Sequence, residues 1–209
     1  MRIAVHRVFL TSDLKRVSYP FRTLFARGES IISGSLSPPA IMWFRRDLRL
    51  HDNPALSAAI AATDGHVICL YILETPPIGR GLGGASKWWL EKSLIALQAD
   101  IAAMGGQLVL RSGDPETVLS DLIAETGARS LFWNRRYDQP GRTADKQIKA
   151  DFRAREIDVQ SFNGSVLTEP WTQTTGSGGY YKVYSPYWRS VQANYTPEAP
   201  RPEPKALPD

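Results

Sequence analysis

Cysteine is nearly absent from this 209-residue chain: Cys69 is the only one, so no internal disulfide can form and nothing points to an oxidising compartment. Histidine is almost as scarce. His6, His51 and His66 are not spaced as metal ligands and have no cysteines or acidic cluster around them, so no metal is expected. No apolar run approaches the roughly 20 residues that cross a bilayer, and a soluble, cytoplasmic protein without a membrane partner is expected. No Gly-x-Gly-x-x-Gly turn follows the first apolar strand, where a dinucleotide-binding unit would carry it. Gly81-Leu82-Gly83-Gly84 follows the second strand instead, lacks the P-loop lysine and Ser/Thr, and reads as a turn into the next helix. No Ser-His-Asp set, catalytic-cysteine setting or pocket-bound carboxylate pair can be assembled, so no catalytic residue is assigned and hydrolase chemistry has no support. Even the formal charge of +4 is less than it looks. Its excess sits in residues 1–39, and the nearly neutral remainder argues against a strongly electrostatic nucleic-acid binder.

What is present suits one domain. An apolar content of 43% over this length can bury a single sizeable core with appended segments. Residues 1–39 mix basic residues with Ser and Thr, show no periodic apolar face and end in Ser37-Pro38-Pro39, which predicts a poorly ordered N-terminal extension. The composition faintly suggests an organelle presequence, but Asp13 and Glu29 weaken that, and a start codon placed too far upstream accounts for it equally well.

From Ala40 the pattern alternates. Ala40–Phe44, His66–Leu73, Gln107–Arg111, Ser130–Trp133 and Ile157–Phe162 read as short strands, the second of them holding Cys69 as a buried thiol. Between them lie helices over Asn53–Ala62, Ser86–Met104, the stretch opened by Asp114-Pro115, and Gly141–Arg155. Asn53-Pro54 and Asp114-Pro115 each place a capping side chain before a proline in the first turn. Repeated strand–helix units imply a parallel five-stranded sheet with helices on both faces, in a doubly wound, Rossmann-like α/β order. This domain is expected over residues 40–170. Residues 171–209 are expected to form an aromatic and then Pro-rich linker; Tyr180–Val191 has too many aromatics for a solvated tail, so it either packs back or docks on something further. A chain ending in such a spacer is expected to be a truncated form of a longer parent.

The strand ends carry the chemistry. Trp43-Phe44-Arg45-Arg46-Asp47-Leu48-Arg49 runs from an apolar strand straight into charges, at the carboxyl end of a sheet, where open α/β folds meet ligands. Asn134-Arg135-Arg136-Tyr137 repeats the theme on the fourth strand. The candidate ligand groups are therefore Arg45, Asp47, Asn134, Arg136 and Tyr137, with surface ion pairing as the plain alternative. Lys87 and Trp88 join them from the start of the second helix. Trp89 falls in register with Leu90, Leu94 and Leu97 and is expected in the core, which leaves Trp88 either to stack on a flat ligand or to pack under Pro76–Leu82.

These motifs, in order, resemble the N-terminal α/β domain of the DNA photolyase/cryptochrome family. The resemblance rests on WFRRDLRLHDN, GGASKWWL, FWNRRY, SFNGSVLTEPW and GSGGYYKVYSPYWR, from about Ile41 to Trp188. It implies a domain that holds a light-harvesting antenna chromophore, followed in the family by a helical domain that binds FAD, docks the pyrimidine dimer and splits it by light-driven electron transfer. The chain is thus expected to be the antenna-binding part of a deoxyribodipyrimidine photo-lyase, inactive in repair alone, with the FAD site outside it and damaged DNA reached only through the missing domain. A reduced folate is the favoured antenna, with a deazaflavin or a flavin as alternatives. Pro140-Gly141 replaces the Asn-Glu pair of the best-known folate binders, and Arg136 stands where deazaflavin binders tend to have an acid; the combination of Lys87-Trp88-Trp89 with Asn134–Tyr137 looks more like a bacterial branch holding its folate differently. The alternative readings are a cryptochrome-like blue-light photoreceptor fragment and a stand-alone nucleotide-binding α/β domain.

Overall fold

A computed structural model of the chain describes residues 37–74 and 81–207. The expected extension falls mostly outside these residues, as does most of the loop Pro76–Leu82. Five strands, β1 (Ala40–Phe44), β2 (Val67–Glu74), β3 (Leu108–Gly113), β4 (Ser130–Asn134) and β5 (Asp158–Phe162), alternate with α1 (Pro54–Thr63), α2 (Gly84–Ala103), α3 (Pro115–Thr126) and α4 (Gln139–Ala154). All strand pairs are parallel, in the order β3-β2-β1-β4-β5. The chain winds outward from β1 to β3, then crosses to β4 on the other side of β1. The fold is therefore the doubly wound α/β sheet expected, with its topological switch between β1 and β4.

Local signals set the boundaries. Asn53 caps α1 by accepting from Leu56 N, and Asp114 caps α3 by accepting from Thr117 N, each followed by a helix-starting proline. Central β1 is buried at every position, which fits a strand covered on both faces. Its alternate residues feed two cores. Met42 and Phe44 meet α1 and α2 through Leu56, Leu94, Leu97 and Ile101, while Ile41 and Trp43 meet α3 and α4 through Leu119, Leu122, Ile148 and Phe152.

The C-terminal part departs from a plain spacer. The aromatic stretch forms helix α5 (Tyr184–Asn194), seated through Val191 at 1% exposure. The Pro-rich segment then returns across the domain: Asp52 N donates to Arg201 O, and Leu207 N donates to Met104 O. Leu207 is fully buried in the core beneath α1 and α2. One apolar residue among prolines thus becomes an anchor.

Candidate functional site

The first turns of the loops after β1 and β4 are joined by a buried polar network. Asn134 Nδ2 donates to Asp47 Oδ2 at 2.6 Å and to the Asn53 cap oxygen at 2.8 Å. Asp47 Oδ1 accepts from Arg45 N at 2.8 Å, and Asn53 Nδ2 donates back to Arg49 O at 3.0 Å. The buried carboxylate and the two amide nitrogens are thereby partnered, as low-dielectric surroundings demand, while Asn134 Oδ1 is buried without a partner. Gly164 closes the network from β5's far end, since a Cβ there would lie 2.4 Å from Asn134 Cγ.

Arg45 belongs to the opposite face of the sheet. Its guanidinium forms a two-pronged pair with Asp145 of α4, at 2.6 and 3.1 Å, donates to Asn134 O, and lies 4.7 Å from the Trp43 ring centroid. Trp133 Nε1 also donates to Asp145, at 3.0 Å. Arg45 was expected among ligand groups, yet its charge is spent inside the fold.

Arg136 spans the sheet end. It donates to both Glu74 oxygens, at 3.1 and 3.0 Å, and to Asp138, so that β4's loop is tied over β1 to the tip of β2. Burial works against its charged form, but Asp138 and Glu74 outweigh it and raise its affinity for the proton. The same bond from Arg136 holds the Asp138 carboxyl below its usual range. Gly141 makes room for this crossbar, because a Cβ there would stand 2.5 Å from Arg136 Nε.

Between the crossbar and α2 lies a crevice of about 970 Å³ at the carboxyl ends of β1 and β2. Its walls combine Tyr71, Leu73, Leu90 and Trp89 with Arg46, Glu74 and Arg136. Arg46 is 75% exposed and only 3.6 Å from Asp138, a pairing too solvated to tie it down. The crevice therefore offers an apolar wall, a flat indole and a cation open to an anion.

Of the residues singled out in the sequence, Arg45, Asp47 and Arg136 line this crevice, Arg45 with its guanidinium turned to Asp145, and Asn134 lies beneath Asp47; Lys87 and Trp88 are exposed on α2 and do not line it. The expected burial of Trp89 is overturned: it is 68% exposed, against 57% for Trp88. Leu90, Leu94, Leu97 and Ile101 form the inner row of α2, and Trp89 stands one position off it, in row with Ser93. Because the first turn of α2 overhangs the strand ends, that row faces the crevice. Tyr137 points elsewhere, donating to Glu169 at 2.8 Å. Glu74 and Asp145 were missed. Glu74 had a signal, as the acid that closes an apolar strand; Asp145 sits in a charged helix with nothing in the local sequence to set it apart.

A family model described as DNA photolyase matches residues 40–205. The chain belongs to the DNA photolyase family. It is 49% identical over 169 residues to the deoxyribodipyrimidine photo-lyase of Agrobacterium fabrum, covering 81% of this chain and 35% of that one. It is 38% identical to cryptochrome-1 of Arabidopsis thaliana, covering 80% of this chain and 25% of that one. The crystal structure of a bacterial class III photolyase from Agrobacterium tumefaciens superposes with a TM-score of 0.79 at 49% identity, over 86% of this chain and 37% of that one. The chain thus spans about a third or less of the length of these relatives, and the part it shares is the photolyase N-terminal α/β domain.

Proposed function

We propose that this chain is the antenna-binding domain of a deoxyribodipyrimidine photo-lyase, and that the crevice between Arg136 and α2 takes the chromophore. The observation that carries this reading is the meeting of an apolar wall and the Trp89 indole with open cation Arg46 at the sheet's carboxyl end. A planar heterocycle with a carboxylate tail needs both, one for stacking and burial, the other for charge-assisted hydrogen bonds. The volume of about 970 Å³ is at the upper end of ordinary ligand sites, roughly 300–1,000 Å³, and accommodates a folate or a flavin.

A reduced folate is the preferred occupant. Its anionic tail suits Arg46, and Glu74 offers acceptors to the amino edge of a pterin. Asp47 and Asn134 act from below, by fixing the loop that presents Arg46. When bound, such a group would absorb light and pass excitation on; the chain's own residues bind it and shield it from water. The repair reading is preferred to a photoreceptor reading because identity is 49% to the photo-lyase and 38% to the cryptochrome.

The test is equilibrium titration of the purified chain with tetrahydrofolate, flavin mononucleotide and a deazaflavin. Tightest binding is expected for the folate, weakened in Arg46→Ala. Absence of saturable binding by any of the three would overturn the antenna assignment.

A further inference from the structure

The second hollow, on the α4 side of the sheet end, shares only Arg136 with the crevice. Five of the eight side chains around it are cationic, and the one acid, Asp145, is already committed to Arg45. Arg135 is paired with Glu169, and Arg136 with Glu74 and Asp138. Arg142 and Lys146, one turn apart on the exposed side of α4, make no ion pair among the described residues. Beside them stands Trp171, 54% exposed. The Arg135 guanidinium carbon lies 5.8 Å from its ring centroid, and Tyr137 leans on it at 6.4 Å.

A flat exposed indole held by an arginine, with two unspent cations a turn apart, is a platform for a base and a clamp for its phosphate. We propose that this hollow binds a nucleoside phosphate, with the base on Trp171 and the phosphate between Arg142 and Lys146. The volume of about 280 Å³ suits a single nucleotide unit, free or within a single strand. Lys149 adds support. Burial, then the neighbouring Arg135, lowers its proton affinity despite Asp145, so the hollow is over-supplied with positive charge that an arriving phosphate would relieve.

The test follows the Trp171 indole N–H in proton–nitrogen correlation spectra of the full chain, assigned by its loss in Trp171→Phe. The probes are adenosine monophosphate, inorganic phosphate, a short oligothymidylate and tetrahydrofolate. Adenosine monophosphate should shift that signal saturably. Removing Arg142 or Lys146 should weaken binding by roughly tenfold each, whereas Lys92→Ala, which alters the distant Trp88 environment, should not. Tighter, salt-sensitive binding of the oligonucleotide identifies a strand as the source of the nucleotide; equal affinity per site identifies the free form. The proposal is overturned if no probe moves Trp171 at millimolar concentration, if inorganic phosphate binds as well as the nucleotide, if the Arg142 and Lys146 variants bind normally, or if tetrahydrofolate alone occupies the hollow.

Discussion

Asn134 at the end of β4 donates to Asp47 in the loop after β1 at 2.6 Å, with both residues buried. This bond spans the topological switch, and it holds the loop that carries Arg46. Asp47→Ala leaves the Asn134 amide and the Arg45 backbone N–H without their acceptor, which costs about 1–3 kcal/mol per buried donor. Urea unfolding should show at least that loss. A midpoint shift within error would mean that the loop stands without the bond.

The Arg45–Asp145 pair makes a sharper case, because both groups are almost wholly buried. Arg45→Ala strands a buried carboxylate and should destabilise the domain by about 3–5 kcal/mol. The double variant lacking both groups should be less destabilised than the sum of the single ones. Simple additivity would mean that the two charges act separately.

Two glycines leave no room for a side chain. A Cβ on Gly164 would stand 2.4 Å from Asn134 Cγ and 2.7 Å from its Cβ, and one on Gly141 would stand 2.5 Å from Arg136 Nε and 2.6 Å from its Cβ; turning the side chain moves neither Cβ. Gly164→Ala and Gly141→Ala should therefore each lower the thermal midpoint, by about 1–3 kcal/mol of overpacking. Gly141→Ala, which displaces the Arg136 crossbar, should in addition weaken ligand binding at the crevice. An unchanged midpoint in either variant would contradict the close approach at that glycine.

Much of this architecture is legible locally. The strands are short apolar runs between turn signals, and Asn53-Pro54 and Asp114-Pro115 announce helix starts that the cap hydrogen bonds reproduce. What fails to show is what depends on distant partners. Arg45 meets Asp145 across 100 residues, so its placement at a strand end looks like ligand chemistry until α4 is laid beside it. Trp89 fails for another reason: a residue one step from a buried row is placed by how far the helix overhangs the sheet, which spacing alone does not reveal. Leu207, the one large apolar residue among the prolines of residues 197–209, has no periodicity by which to be recognised.

Tyr137 provides a pH signature. Burial first, then the hydrogen bond to Glu169, push its phenol up to about 12, against an ordinary value of about 10. A phenol with a raised folded pKa contributes stability that is present below about pH 10 and is lost as pH rises through about 12. Absorbance titration of phenolate should show a late-ionising tyrosine that vanishes in Tyr137→Phe. Tyr71 is also shifted upward by burial, so the variant difference is the readout. If the component lost in Tyr137→Phe ionises near the ordinary value of about 10, the Glu169 contact is contradicted.

The most direct test of the chromophore crevice is tetrahydrofolate binding by Trp88→Ala and Trp89→Ala, measured beside their melting curves. Both indoles are exposed on the same turn of α2, but only Trp89 lines the crevice. The predicted result is that both variants melt close to the parent, Trp88→Ala binds the folate normally, and Trp89→Ala loses most of its affinity. Normal binding by Trp89→Ala, with the loss found in Trp88→Ala, would place the chromophore outside the crevice and contradict the account.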